Sequence, residues 1–115
     1  MTELDKIQLT ETQEKLLRSI PKGNERIITT KELSQLTGLE TRAIRDNIQR
    51  LIVLYGFPII GIRSQNRAGY YIATTESDIL SGVRSLDKQV KEEQKRITAL
   101  LYADLTLHER YFSNN

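Results

Sequence analysis

The fold of this chain is decided by residues 31–51, which read KELSQLTGLETRAIRDNIQRL. A Thr-x-x-Glu capping box predicts a short helix over residues 30–36, and Gly38 can adopt the positive φ that a tight turn requires. A longer amphipathic helix is predicted over residues 40–55, because its apolar positions recur at helical spacing. Two helices joined by a three-residue turn that contains glycine form a helix-turn-helix unit.

The longer helix has two faces of different character. Its apolar face comprises Ile44, Ile48, Leu51 and Ile52. We expect this face to form a small core with Leu33 and Leu36 of the shorter helix and with Leu39 of the turn. The opposite, outer face comprises Thr41, Arg42, Arg45, Asp46 and Gln49.

The outer face has the side chains that read base pairs. Arginine can bind guanine through two hydrogen bonds and glutamine can bind adenine, and a helix that follows such a turn can enter the major groove. We therefore expect the outer face to contact DNA. The alternative is that Arg42 and Arg45 form surface salt bridges with Glu40 and Asp46.

Residues 59–73 are predicted to form a β-hairpin. Two runs rich in β-branched and aromatic residues, 59–63 and 69–73, flank a small polar tip. Basic and amide side chains at such a tip can reach phosphates or a minor groove. The hairpin residues expected to contact DNA are Arg63, Gln65, Asn66 and Arg67.

The ends of the chain are predicted to be helical. A first helix over residues 11–20 begins at a capping box formed by Thr10 and Gln13. A last helix begins after Thr75, where Asp78 completes a Thr-x-x-Asp cap. We expect the tail, residues 108–115, to be frayed.

The last helix has an apolar stripe with heptad spacing. Positions a of the heptad are Val83, Val90 and Ile97, and positions d are Ile79, Leu86 and Leu100. Such a stripe predicts a homodimer through this helix, although Glu93 at d and Asp104 at a interrupt it. The alternative is that the helix folds back and packs against the first helix of its own domain.

Positive charge is concentrated in the middle of the chain. Residues 22–73 hold eight basic and four acidic side chains, a net charge of +4, whereas residues 1–21 and 74–115 each carry a net charge of −1. Six of the eight basic residues are arginines. This asymmetry is typical of nucleic-acid binding, and its alternative is a solvated face with no partner.

The composition argues against several other classes of function. The chain has no cysteine, which excludes disulfides, thiol catalysis and thiolate metal sites and is consistent with a reducing cytoplasm, where we expect the protein. It has no apolar run long enough for a membrane span, and its start does not resemble a signal peptide. Its one histidine, His108, lies near the tail without convergent partners. We expect no enzyme activity, no cofactor, no metal and no membrane.

Residues 31–73 resemble a winged-helix domain of the biotin-repressor type. The resemblance is carried by LSQLTGLETRAIRDNIQRL and by YGFPIIGIRSQNRAGYYIA, which makes the hairpin the wing. The Gly-Tyr-Tyr-Ile end of the wing, followed by a Thr-Glu-Ser-Asp helix start, is similar to small winged-helix proteins encoded by phages of Gram-positive bacteria. The resemblance covers roughly residues 10–102. Unlike the biotin repressor, this chain has a helix where an enzymatic domain would follow.

These observations predict an α+β fold with three helices, a two-stranded wing and a long C-terminal helix. Residues 1–75 would form the winged helix-turn-helix domain, and residues 76–115 would form the dimerisation helix and the tail. The predicted function is that of a transcriptional regulator that binds double-stranded DNA as a dimer. The alternatives are a phage replication-initiation protein that binds DNA, and a winged-helix module that binds another protein and no DNA.

Overall fold

The structure of the protein is a computed structural model that describes residues 7–64 and 67–113. These residues form five α-helices and one antiparallel sheet of two strands. In chain order the elements are α1 (Glu11–Ser19), α2 (Thr30–Thr37), α3 (Thr41–Val53), β1 (Ile59–Arg63), β2 (Ala68–Ile72), α4 (Glu76–Leu101) and α5 (Leu107–Ser113). The predicted α+β class is confirmed, and a helix pair followed by a hairpin is compatible with a winged helix-like arrangement.

The predicted helix starts are confirmed by their capping boxes. Thr10 and Gln13 exchange two hydrogen bonds of 3.1 Å at the start of α1. Thr29 and Glu32 exchange two of 3.0 Å at the start of α2. The hydrogen bonds from Thr29 hold the pKa of the Glu32 carboxyl below its usual range, since they favour its charged form.

A short turn separates α2 from α3. Gly38 has φ of +76°, a conformation that is strained for residues with a Cβ. Its backbone N–H donates to the carbonyl of Ser34 at 2.8 Å. The two predicted helices and the turn between them are therefore present, with α3 ending at Val53 rather than at residue 55.

The core lies between α1, α2, α3 and the sheet. Its buried members are Leu16, Ile20, Ile28, Leu33, Ile44, Ile48, Leu51 and Ile59. Two predictions were wrong, because Leu36 is 53% exposed and Ile52 is 40% exposed. Leu39, in the turn after α2, packs against the core as predicted, so the turn provides the apolar contact there and Leu36 stays exposed. Ile52 lies about 100° around α3 from Leu51, at the edge of the buried face.

The predicted hairpin is formed, with Ile59 opposite Ile72 and Arg63 opposite Ala68, and its second strand begins one residue earlier than predicted, at Ala68. Its second strand also receives the α1–α2 loop, residues 20–29, which had not been predicted to pair. Ile28 and Tyr70 exchange two backbone hydrogen bonds, of 3.0 and 2.8 Å. Both edges of β2 are thus occupied by backbone partners.

The hairpin contacts other elements on its two faces. Tyr70 and Ile72 pack against the core, so Tyr71 between them belongs to the opposite face. Ile60 is the register partner of Tyr71, and a Cβ added to Gly82 of α4 would lie 2.8 Å from the Ile60 Cδ1 atom. The beginning of α4 therefore packs closely on the face of the hairpin that is turned away from the core.

The chain divides into two compact units, the first ending at Val83 and the second beginning at Arg84. The first two turns of α4 thus belong to the first unit, whereas the expected boundary followed residue 75. The predicted start of α4 is confirmed, since the Asp78 backbone N–H donates to Thr75 Oγ1 at 3.1 Å. The Asp78 carboxylate accepts from the backbone N–H of Thr74 at 3.1 Å.

The second unit contains the rest of α4 and α5. Asp104 accepts two hydrogen bonds of 2.8 Å from the backbone N–H and hydroxyl of Thr106, and it pairs with Arg110. Asp104 thus stabilises the turn before α5 and does not occupy a heptad position, because α4 has already ended at Leu101. The tail that was expected to be frayed forms α5 as far as Ser113.

Candidate nucleic-acid interface

The outer face of α3 is exposed along its whole length. Thr41, Arg42, Arg45, Asp46 and Gln49 are all exposed. The opposite face of the same helix holds the buried residues Ile44, Ile48 and Leu51. The structure therefore brings the five predicted α3 residues together on one accessible face.

Arg42 and Arg45 have no anionic partner within residues 7–64 and 67–113. The alternative in which they pair with Glu40 and Asp46 is not realised there. An exposed ion pair would have contributed at most about 1 kcal/mol. Both guanidinium groups can therefore bind an external anion without first losing an internal partner.

α3 begins without the side-chain cap that α1 and α2 have. Glu40 at its N-cap makes no capping hydrogen bond, and the first turn contains no acidic residue. The first backbone N–H groups of a helix have no partner within it and form the positive end of its dipole. The start of α3 therefore places a partial positive charge near Arg42, which the Glu40 carboxylate at the N-cap offsets in part.

The C-terminal part of the outer face is a shallow, partly apolar groove. It has a volume of about 430 Å³ and is lined by Asp46, Gln49, Arg50, Val53 and Leu54. Val53 is 71% exposed. Sequence reasoning did not include Arg50, although it lies one residue beyond Gln49 on the same helix, because the predicted face ended at Gln49.

The two hairpin arginines differ in their surroundings. Arg63 is exposed and makes no ion pair with another described residue. The guanidinium Nη2 of Arg67 instead donates to the backbone carbonyl of Asn24 at 2.6 Å. The predicted contacts Gln65 and Asn66 lie outside the described residues.

The tip of the hairpin is closed by local hydrogen bonds. The backbone N–H of Ser64 donates to the carbonyl of Arg67 at 2.8 Å, and the Ser64 hydroxyl donates to the same carbonyl at 3.0 Å. Deeper in the sheet, burial raises the pKa of the Tyr71 phenol and the Asp78 carboxylate raises it further, whereas the charge of Arg67 opposes both. Arg67 thus acts electrostatically on groups inside the first unit.

The α1–α2 loop is a neighbour of the hairpin that the sequence pattern did not predict. Lys22 and Arg26 of this loop are exposed. The short β-branched run Ile27–Thr30 was the one signal that could have indicated strand pairing there. The pairing of Ile28 with Tyr70 joins residues far apart in the chain, so local sequence patterns do not predict it.

The apolar stripe of α4 is exposed over most of its length. Five of its six predicted members are between 51% and 69% exposed, namely Val83, Leu86, Val90, Ile97 and Leu100. The sixth, Ile79, is half-buried. Two exposed ion pairs, Asp87–Lys91 and Glu92–Lys95, involve helix positions other than a and d.

The described part of the chain contains no group of three or more histidine, cysteine, aspartate or glutamate residues that could hold a metal ion. The His108 ring contacts the ring of Phe112, with centroids 4.9 Å apart. In the same residues, no helix is both long enough and apolar enough to cross a membrane.

Comparisons with protein-family models, with curated proteins and with solved structures give no match for this chain. Its function must therefore be inferred from its own side chains. The features that bear on it are the free arginines of α3, the basic hairpin and the exposed stripe of α4.

Proposed function

We propose that this protein binds double-stranded DNA as a homodimer of winged-helix units and acts as a transcriptional regulator in the cytoplasm. The observation that carries the proposal is the pair of exposed arginines on the outer face of α3. Arg42 and Arg45 have no anionic partner in the parts of the chain that the structure describes. They lie on the helix that follows the Gly38 turn, which is the helix that enters the major groove in helix-turn-helix proteins.

The arrangement of the outer face supports base reading. Arg42, Arg45 and Gln49 are three and four residues apart, so they share one side of α3. Arginine and glutamine are the side chains that form paired hydrogen bonds with guanine and adenine in the major groove. The core holds the opposite side of α3 through Ile44 and Ile48, and a buried face of this kind keeps a reading helix fixed in orientation.

The hairpin supports contacts with the DNA backbone. Arg63 is exposed, and arginines on flexible or extended elements commonly bind phosphates without reading sequence. The net charge of +4 over residues 22–73 adds a favourable long-range attraction to DNA. The resemblance of this segment to winged-helix domains agrees with both roles.

The exposed stripe of α4 supports a homodimer. Apolar side chains exposed in a continuous stripe need a partner surface. β-branched residues at the a positions and leucine at d positions favour two-stranded coiled coils, and this is the pattern of Val83, Val90 and Ile97 with Leu86 and Leu100. We therefore propose a second copy of the chain as the partner, rather than α1 of the same chain.

The proposal is tested by DNA binding at several salt concentrations. Binding of labelled random and genomic duplexes should show log K falling linearly with log salt concentration, since phosphate contacts release counterions. Selection from the genomic pool should yield two related half-sites about 10 base pairs apart. Absence of binding at about 50 mM salt, where electrostatic affinity is high, would contradict the proposal in favour of a protein-binding role.

The dimer is tested separately by sedimentation equilibrium at micromolar concentration. The expected result is a dimer whose dissociation can be followed on dilution. A protein that stays monomeric at this concentration would refute the dimer while leaving DNA binding by single units open to the previous test.

A further inference from the structure

The α1–α2 loop is held against the hairpin along its whole course. At its beginning, the backbone N–H of Gly23 donates to the Ile72 carbonyl at 2.8 Å, and the N–H of Ile72 donates to the Pro21 carbonyl at 2.7 Å. At its end, Ile28 and Tyr70 exchange two backbone hydrogen bonds. Residues 24–27, which lie between these two anchors, are therefore fixed at both ends.

The middle of the α1–α2 loop is held by hydrogen bonds of side chains. Arg67 of the hairpin donates to the Asn24 carbonyl at 2.6 Å. The Asn24 side-chain amide donates to the Asp78 carboxylate at 3.5 Å. The loop is thus joined to the hairpin tip on one side and to the first turn of α4 on the other.

The loop and the hairpin together form a basic edge. Over residues 20–29 and 59–72 there are four cationic side chains, Lys22, Arg26, Arg63 and Arg67, and one carboxylate, Glu25. Lys22 and Arg26 are exposed. Neither has an ion pair with any residue that the structure describes.

We propose that the α1–α2 loop is a second phosphate-binding element, in which Lys22 and Arg26 contact the DNA backbone beside the hairpin. In this proposal Arg67 is a positioning residue that holds the loop in place through the Asn24 carbonyl. The proposal rests on the DNA binding proposed above and adds to it two contact residues and the element that presents them.

The anchoring of the loop is the reason for expecting binding rather than a merely solvated surface. Ordering a free loop on binding costs conformational entropy, and a loop that is already ordered avoids most of that cost. Two cations presented on a loop whose ends are fixed against β2 can therefore bind phosphates at a lower entropic cost. Each phosphate contact should contribute about 0.9 to the slope of log K against log salt concentration.

The test measures this slope by fluorescence anisotropy with one duplex of fixed random sequence. Lys22→Ala and Arg26→Ala should each weaken binding about 3- to 10-fold at about 0.1 M salt and lower the slope by about one, and the double variant should lower it by about two. Glu25→Gln should strengthen binding, because it removes the one acid of the edge. Lys15→Ala, which removes an exposed charge from α1, should leave the slope unchanged.

The outcomes separate this proposal from the proposed function. A parent protein that binds DNA, together with a Lys22/Arg26 double alanine variant whose slope equals the parent's, would overturn the loop proposal alone. A parent that binds no DNA would overturn both. Circular dichroism melting curves would show that the variants are folded, as expected for substitutions at exposed positions.

The role of Arg67 is tested by a double-mutant cycle. Arg63→Ala should lower the salt slope by about one, whereas Arg67→Ala should lower it by up to about two, because it releases the loop that presents Lys22 and Arg26. Combining Arg67→Ala with Arg26→Ala should give a smaller loss than the sum of the two single losses. Additive losses would show that Arg67 contacts DNA independently and does not position the loop.

Discussion

Arg45 lies at the centre of the outer face of α3, between Arg42 and Gln49. Because it is exposed and its guanidinium presents several donors in a fixed plane, it is the side chain best suited to read a base. We predict that Arg45→Ala weakens specific DNA binding by about 1–3 kcal/mol and relaxes the preference at one base pair. Affinity profiles across single-base variants of the selected site provide the measurement.

The control for this prediction is an arginine elsewhere on the surface. Arg18 makes only an exposed ion pair of 3.6 Å with Glu14 in α1, so Arg18→Ala should leave base preference unchanged. An Arg45→Ala variant that loses affinity equally for all sequences would show a phosphate contact instead of a base contact.

Gly69 is required by the close approach of two backbones. A Cβ at this position would lie 2.5 Å from the Ile28 carbonyl oxygen, and neither strand can move without breaking the hydrogen bonds between them. We predict that Gly69→Ala lowers the free energy of unfolding by more than about 1 kcal/mol. Urea denaturation of the parent and the variant measures this difference.

Gly61 provides the matched control in the same hairpin. The nearest atom to a Cβ there is in the Tyr70 ring, at 3.5 Å, which is an ordinary contact. Gly61→Ala should therefore change the free energy of unfolding by about 0.5 kcal/mol or less. Equal effects of the two substitutions would show that the strand pairing with Ile28 is not formed in solution.

Asp104 makes the stability of the turn between α4 and α5 sensitive to acid. Hydrogen bonds from Thr106, and then from Arg110, hold the pKa of its carboxyl below the usual range. A lowered pKa means that the charged form stabilises the turn, so this contribution is complete above the ordinary pKa of about 3.9 and is lost as pH falls through the lowered value. We predict that amide signals of α5 shift towards coil values in that acidic window.

The variant Asp104→Asn separates this effect from general acid unfolding. Asparagine can accept the Thr106 hydrogen bonds without titrating, so α5 in the variant should keep the same helicity across the window. NMR chemical shifts followed against pH provide the comparison. If α5 melts identically in the parent and in the variant, Asp104 is not the group responsible.

Among the elements, α4 is the one through which we propose that the dimer forms. Between Ile79 and Leu100, Glu93 is the one charged residue at an a or d position, and Asp104 lies beyond the end of α4. A carboxylate at a d position is desolvated when two helices pair, which opposes association. We predict that Glu93→Leu tightens the dimer by at least about tenfold, as measured by sedimentation equilibrium, because it replaces this cost with apolar contact.

The neighbouring glutamate is the control. Glu92 is off the stripe and pairs with Lys95 at 3.3 Å, so Glu92→Leu should leave the dimer dissociation constant nearly unchanged. If both leucine variants associate equally more strongly, the gain reflects general hydrophobicity and not the heptad register.

The elements that could be predicted from the sequence are those specified by local chemistry. The capping boxes of α1 and α2, the Gly38 turn and the pairing of β1 with β2 depend on residues close together in the chain, and the structure confirms them. The pairing of Ile28 with Tyr70 and the exposure of Leu36 depend on contacts between distant segments. Helix α5 was missed because the tail was read by its polar composition, whereas the turn around Asp104 stabilises it.

In the molecule as a whole, one part of the candidate site could be predicted from the sequence and another part could not. The outer face of α3 follows from periodicity, since burying Ile44 and Ile48 necessarily exposes Arg45 and Gln49. The engagement of Arg67 by the Asn24 carbonyl joins residues 43 positions apart, and no local pattern indicates it. The contribution of the α1–α2 loop could therefore be inferred only once the fold was known.

The central claim is that the protein binds DNA through the outer face of α3. The most direct test is the affinity of the Arg42/Arg45 double alanine variant for duplex DNA, measured with the parent over about 50–200 mM salt. The account predicts that the variant remains folded, loses at least about tenfold in affinity and loses the sequence preference of the parent. A folded variant that binds duplex DNA as tightly and as selectively as the parent would contradict it.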